Sequence, residues 1–217
     1  MEARSRYPNA ASVTLLLTVV MLSGGCVSLA ANLIHVMRGS PAEYPGLKDK
    51  RVAVVCITDK GFAQDEVGNI LTLNMQNALL QNVKNCKIVH QKELEKWAAA
   101  TAWQNDDFVA LGKGVEADRV VLLEIKNLRL RNGQTLYRGV SDVSMKVLDT
   151  EEKGGVVYSK EMLEFAFPIG DGAPATGMTE SKFRSYYLKI ISDKLSGVFY
   201  ARDATADYAL DATVSSL

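Results

Sequence analysis

Arg119–Asp149 reads RVVLLEIKNLRLRNGQTLYRGVSDVSMKVLD, and the reading of the fold turns on it. Its first half, Arg119–Arg131, opens as a continuous apolar run and then alternates, as a long strand does on leaving a core. Asn132-Gly133 is a tight-turn signal between two such runs. Beyond it, in Tyr137–Asp149, Val143, Met145 and Val147 fall on one face while Asp142, Ser144 and Lys146 fall on the other. That period of two marks a half-buried strand. Glu151–Gly155 supplies a second turn and Val156–Phe167 a third strand, so the second half of the chain predicts an antiparallel meander.

Upstream the pattern changes. Arg51–Thr58 (RVAVVCIT) is short, apolar and valine-rich, which suits a strand covered on both faces. Asp65 is placed to cap a helix running to about Val83, with Glu66 at its positive end. Val67, Ile70, Leu71, Met75, Ala78 and Leu79 recur at helical spacing as its buried stripe. Asn85–His90 reads as a second strand and Lys92–Trp103 as a helix. A short helix, Asp106–Lys113, is opened by Asn105 or Asp106 and closed by Gly112 or Gly114. Pro168–Gly177 (PIGDGAPATG) is a Gly/Pro loop, and Thr179 caps a closing helix that runs to about Arg202. The expected architecture is α/β with a mixed sheet: βαβα(α), then a three-stranded antiparallel meander, then a C-terminal helix.

The start of the chain is of another kind. Val13–Met37 holds no Asp, Glu, Lys or Arg; Arg4 and Arg6 precede it, and Cys26 follows the small residues Ser23, Gly24 and Gly25. A basic start, a short apolar core at Val13–Leu22 and a small-residue break are the parts of a signal peptide. With its cysteine, the stretch is similar to the lipobox of bacterial lipoproteins, although Ser23 stands where leucine is usual and Leu22 lies one place further back. The resemblance implies cleavage before Cys26, acylation of that residue, and a membrane-lipid anchor. The alternative is an uncleaved signal anchor, because the uncharged run is long enough for a tilted transmembrane helix. Either way the remainder is exported. Val27 and Ser28 lack the aspartate associated with inner-membrane retention, which favours the outer membrane. The expected organisation is a signal peptide over 1–25, a lipid-anchored apolar segment over 26–37, a linker over 38–49, one domain over 50–202 and a flexible tail over 203–217.

The order of RVAVVCI, a long helix, CKIVH, a helix, GKGVEADRVVLLEIKNL and VSMKVLDTEEKGGVVYSKE resembles one known family. It is the domain shared by the TolB N-terminal region, the curli-secretion lipoproteins and the lipoprotein activators of penicillin-binding proteins. The likeness covers about Lys50–Arg202. It implies a non-enzymatic envelope module that binds other proteins. Neither the long hairpin segments of a curli-type pore nor the propeller repeats of TolB occur in this chain, so pore formation and any particular partner are not carried over.

Charges balance, with 25 Lys plus Arg against 25 Asp plus Glu, so no net field attracts nucleic acid. Histidine is confined to His35 and His90, and GxSxG, HExxH and P-loop patterns are missing from the sequence. Gly112-Lys113-Gly114 lacks the outer glycine and the Ser/Thr of a phosphate loop and reads as a helix end. Asp59, Asp65 and Asp171 would hold a cation only if their loops converged. No catalytic residue, metal or cofactor is therefore expected. Cys56 and Cys86 fall on strands, where they read either as a disulfide, permitted by export, or as two packed thiols. The expected contact residues are Asp59, Lys60, Gly61 and Phe62 in one loop and Asp171, Gly172, Ala173 and Pro174 in another, or an exposed meander edge. Tyr186 and Tyr200 are further aromatic candidates. The function this predicts is a membrane-tethered envelope lipoprotein that acts as a protein-binding or assembly module. The alternative is an auxiliary subunit of an envelope transport or secretion system.

Overall fold

Valine-rich β1 (Arg51–Thr58) is the spine of a seven-stranded mixed sheet, and its two faces feed two separate cores. The computed structural model describes residues 40–62, 65–103, 107–151 and 155–202. The chain divides into two compact units, Met1–Ser40 and Pro41–Leu217, and among the described residues every helix and strand belongs to the second. Cys26 and the tail expected over 203–217 lie outside the described residues.

After β1 come β2 (Gly61–Phe62), α1 (Glu66–Asn82), β3 (Lys87–Ile88), α2 (Gln91–Ala100) and α3 (Phe108–Gly114). The long strands β4 (Arg119–Asn132), β5 (Leu136–Asp149) and β6 (Val156–Phe167) follow, then β7 (Ala173–Pro174) and α4 (Glu180–Ser196). The sheet order is β2-β1-β4-β5-β6. The β1–β4 pair is parallel, with Val54 opposite Val121, and β4, β5 and β6 form the antiparallel meander. The fold is α/β with a mixed sheet, as the sequence predicts.

Alternation along β1 sorts its side chains. Val52, Val54 and Cys56 join Val121, Leu123, Val143, Met145 and Val147 in a large core. Leu71, Met75 and Leu79 of α1 and Phe183, Tyr187 and Ile191 of α4 close that core. Ala53 and Val55 point the other way, toward Leu94 of α2 and Leu111 of α3. Helix starts follow local chemistry: the side chains of Asp65, Asp107 and Thr179 accept from the amides of Val67, Ala110 and Lys182. The cap of α3 is thus Asp107 rather than Asn105 or Asp106. Helix α4 stops at Ser196, short of Arg202, because Val198 and Phe199 donate backward over three residues to Leu195 and Ser196 and tighten the chain out of the helix.

The helices do not cover the sheet equally. Helices α2 and α3 sit over β1 and the adjoining ends of β4 and β5, where Val120 and Leu148 are buried. Farther across that face, Lys126, Lys146, Ser159, Glu161 and Leu163 are exposed. The edges are unequal too. Beyond β1 the sheet ends in β2 and β3, each of two residues, whereas beyond β5 it ends in the twelve-residue β6.

The segment read as a linker over 38–49 forms no helix or strand from Pro41 onward, yet it is docked. Leu47 is fully buried, and the Tyr44 ring stacks on Tyr158 with centroids 5.2 Å apart. The Tyr44 amide donates to the Val198 carbonyl at 2.8 Å, and Glu43 accepts from the Tyr158 hydroxyl and Lys160 Nζ. Proline and glycine prevent regular structure in this segment but not burial.

Candidate interaction surface

Strands β1, β4 and β6 run the same way, so the two predicted contact loops, which follow β1 and β6, open at one end of the sheet. Their residues differ in what they present. Asp59 and Lys60 are exposed, and Gly61 turns at a φ of 93° with open space around it. Phe62 instead points inward, packing edge-on against Trp103 with centroids 5.6 Å apart. In the second loop Asp171 is exposed and its carbonyl accepts from Asn132 Nδ2. Gly172 adopts a φ of 118°, and a Cβ there would stand 2.7 Å from the Tyr137 carbonyl oxygen. That close approach admits only glycine. Ala173 and Pro174 form β7, paired with Tyr137 and Leu136 of β5. The loop is therefore an excursion in the sheet edge, after which the chain rejoins β5.

The edge strand itself is open. β6 pairs with β5 on one side only, and its exposed large apolar residues are Val156, Val157 and Leu163, followed by Ile169 in the loop. Leu163 is 73% exposed and Ile169 77%, so both present nearly whole side chains to solvent. Natural edge strands are usually blunted by charge or bulges. This one carries Lys160, Glu161 and two irregularities, opposite Val147–Leu148 and opposite Ser141–Val143, but among the described residues no helix or strand covers it.

The second of these is one of two bulges that flank Asp142, and the sequence pattern does not reveal them. β4 bulges between Lys126 and Arg129, β6 bulges opposite Ser141–Val143, and Asn127 and Glu164 sit in them at φ values of 55° and 47°. Asp142 on β5 lies between the two. Its carboxylate accepts from Asn127 Nδ2 at 2.7 Å and from the Glu164 amide at 2.8 Å. The Asn127 hydrogen bond, then the Glu164 amide, hold this carboxyl below the usual aspartate range. A polar cavity of about 470 Å³ opens beside it, lined by Asp59, Asn127, Arg129, Ser141, Asp142 and Glu164. Asparagine tolerates the left-handed conformation and fits strands poorly, so Asn127 inside an alternating run is the one signal that could have found a bulge. Glu164 gives no such sign.

Behind the bulges the sheet is held by Tyr187, fully buried in α4. Its hydroxyl donates to the Phe165 carbonyl at 2.7 Å and shares a 2.8 Å hydrogen bond with Ser141. Burial pushes this hydroxyl up to about 12.

The remaining candidates serve packing. Cys56 and Cys86 are free thiols, the first buried and the second half-buried, and burial raises them to about 12 and about 11. Gly112 is pressed against Val120 and Thr150, and Gly114 against the Trp97 ring, which is why α3 ends in glycines. Tyr186 rests on Phe167, and the Tyr200 hydroxyl meets Ser196. Among the described residues no group of three His, Cys, Asp or Glu side chains could hold a metal ion, and no helix is long and apolar enough to cross a membrane.

No family model matches the chain, and no curated protein does. Solved structures similar to it include lipoprotein GNA1162 from Neisseria meningitidis, at 8% identity and a TM-score of 0.45, covering 67% of this chain and 97% of that one. PelC from Paraburkholderia phytofirmans, described as a dodecamer, has 18% identity and a TM-score of 0.42, covering 76% and 94%. The LpoB C-terminal domain from Salmonella enterica has 14% identity and a TM-score of 0.39, covering 55% and 86%. At this level the three are what the chain is similar to, and they say nothing of its work.

Proposed function

We propose that this chain is a membrane-tethered lipoprotein of a bacterial envelope that binds another protein through the open edge of its sheet. The tether is supported by the uncharged run Val13–Met37, the preceding Arg4 and Arg6, and Cys26 behind three small residues. The binding role rests on one observation: among the described residues the twelve-residue β6 is an edge strand paired on one side, with Val157 and Leu163 exposed on it and Ile169 exposed just after it. An extended segment can add to such an edge, with main-chain hydrogen bonds for affinity and side chains for choice of partner. The edge is favoured over the loops because Phe62 is turned into the core and Ala173 is already paired.

In an edge strand, alternate residues direct their N–H outward, and proline is tolerated only there. Single prolines at Ser159, Lys160, Glu161 and Met162, each checked by circular dichroism, sort the positions. Variants that fold should lose cross-linked partner capture from envelope preparations; folded variants that capture as well as wild type would overturn the edge reading. The identity of the captured protein separates an assembly module from an auxiliary transport subunit. For the tether, the intact mass of the mature N-terminal peptide should correspond to acylated Cys26, and recovery of an N-terminus at Met1 would replace the lipid with an uncleaved anchor.

A further inference from the structure

A second surface lies on the helical side of the sheet, where α1 and α4 both begin. There β4 continues past the helix starts, and the half-buried side chains of Leu128 and Leu130 form the floor of a groove of about 490 Å³. Val67, in the first turn of α1, extends that floor. The walls carry the guanidinium groups of Arg129 and Arg131 from β4 and Arg184 from α4, with the Glu180 carboxylate among them. The positive ends of two seventeen-residue helices add to their field.

Two of the three arginines already show what they bind. Arg184 Nη1 meets Glu66 and Arg131 Nε meets Glu180, each at 2.7 Å. Both carboxylates come from the first residue of a helix, so the protein answers this charge with glutamate wherever it can reach. Arg129 is exposed, and its guanidinium makes no hydrogen bond among the described residues. Asp142 stands beside it but is already engaged by Asn127 and the Glu164 amide, and Asp59 and Glu164 line the same polar cavity without a hydrogen bond to it. Arg184 Nε is buried and makes no hydrogen bond among the described residues.

We infer that this groove takes an extended peptide segment of a partner protein in which glutamate or aspartate alternates with leucine-like residues. The apolar floor calls for aliphatic side chains, and the arginine walls call for carboxylates, which Arg matches in a planar fork. The lining residues include no aromatic ring on which a base could stack, and the chain carries no net positive charge, so a nucleic acid does not fit. The inference rests on the reading of the chain as a protein-binding module, but not on the β6 edge.

The test uses the full chain in detergent solution, with detergent alone as blank, and fluorescein-labelled peptides followed by anisotropy. The probe alternates glutamate and leucine; the controls alternate lysine and leucine, or glutamate and serine. Only the glutamate–leucine peptide should bind, with affinity falling as salt is added. Arg129→Glu and Leu130→Ser, each verified by thermal unfolding, should weaken it about tenfold or more. Arg129→Glu should also improve binding of the lysine–leucine peptide. Equal binding of the glutamate–serine control, an unmoved Arg129→Glu variant, or full displacement of the probe by inorganic phosphate would overturn the assignment. Folded β6 proline variants should keep this peptide binding, so failure at the groove and failure at the edge read out separately.

Discussion

At the scale of single residues, half-buried Asp142 ties together irregularities in two neighbouring strands. It stands in the middle strand of the meander and braces a bulge on each side, through a side-chain amide on β4 and a main-chain amide on β6. Those donors favour its charged form and lower its folded proton affinity. A carboxyl lowered on folding contributes stability that is complete above the unfolded aspartate value of about 3.9. The contribution is lost as pH falls through the lower folded value. Asp142→Ala should therefore lower the urea midpoint at about pH 7, and the gap to wild type should narrow as the pH falls from the unfolded aspartate value of about 3.9 through the lower folded one. A gap that is the same at both ends would mean the carboxylate charge is not what holds the bulges. Nothing in the alternation of Tyr137–Asp149 singles out this aspartate from Ser144 or Lys146, because its partners are fixed by strand register rather than by neighbours in sequence.

At the scale of elements, Gly139 shows how α4 approaches the sheet. A Cβ on Gly139 would lie 2.3–2.5 Å from the ring of Tyr187, so the helix rests its largest buried side chain against bare backbone. Gly139→Ala should push Tyr187 off its hydrogen bonds to Ser141 and Phe165 and destabilise the fold by about 1–3 kcal/mol. Chemical unfolding measures this directly, and a neutral result would show that the ring can withdraw without loss. The long elements are legible in the sequence because their signals are local. The valines of β1 and the period of two in β5 announce strands on their own, as does the clean span of Val156–Phe167. The two-residue strands β2, β3 and β7 are not legible. They exist only because Phe62, Ile88 and Ala173 are brought beside longer strands, and Asn85–His90 shows nothing that limits pairing to Lys87 and Ile88. The connection after β4 is similar: Asn132-Gly133 marks the turn, but pairing of Asn132 with Leu136 makes it a three-residue loop.

At the scale of the whole molecule, the folded body is lopsided. One sheet face is covered by α1 and α4 as far as their first turns, the other only over β1 and its neighbours, and one edge consists of two-residue strands while the other carries the twelve-residue β6. The sequence singles out the two loops as contact candidates but does not reveal that they share one end of the sheet, nor the inward turn of Phe62, nor the arginine groove, which combines β4 with two helix starts far apart in the chain. Nor does it reveal that 43–47 belongs to the folded body, since proline and glycine report on backbone freedom and not on what Leu47 touches. Leu47→Ala should destabilise the domain by about 2–5 kcal/mol, as for other fully buried leucines. Chemical unfolding checks this, and a loss below about 0.5 kcal/mol would place the segment outside the cooperative unit.

That docked segment has a mechanical meaning. Glu43 grips Tyr158 and Lys160 of β6, and Tyr44 is hooked to the carbonyl of Val198. Tension drawn through the polypeptide at Pro41 would therefore enter the body at β6 and at the turn after α4, so a pull on the proposed tether and occupancy of the β6 edge would meet in one strand.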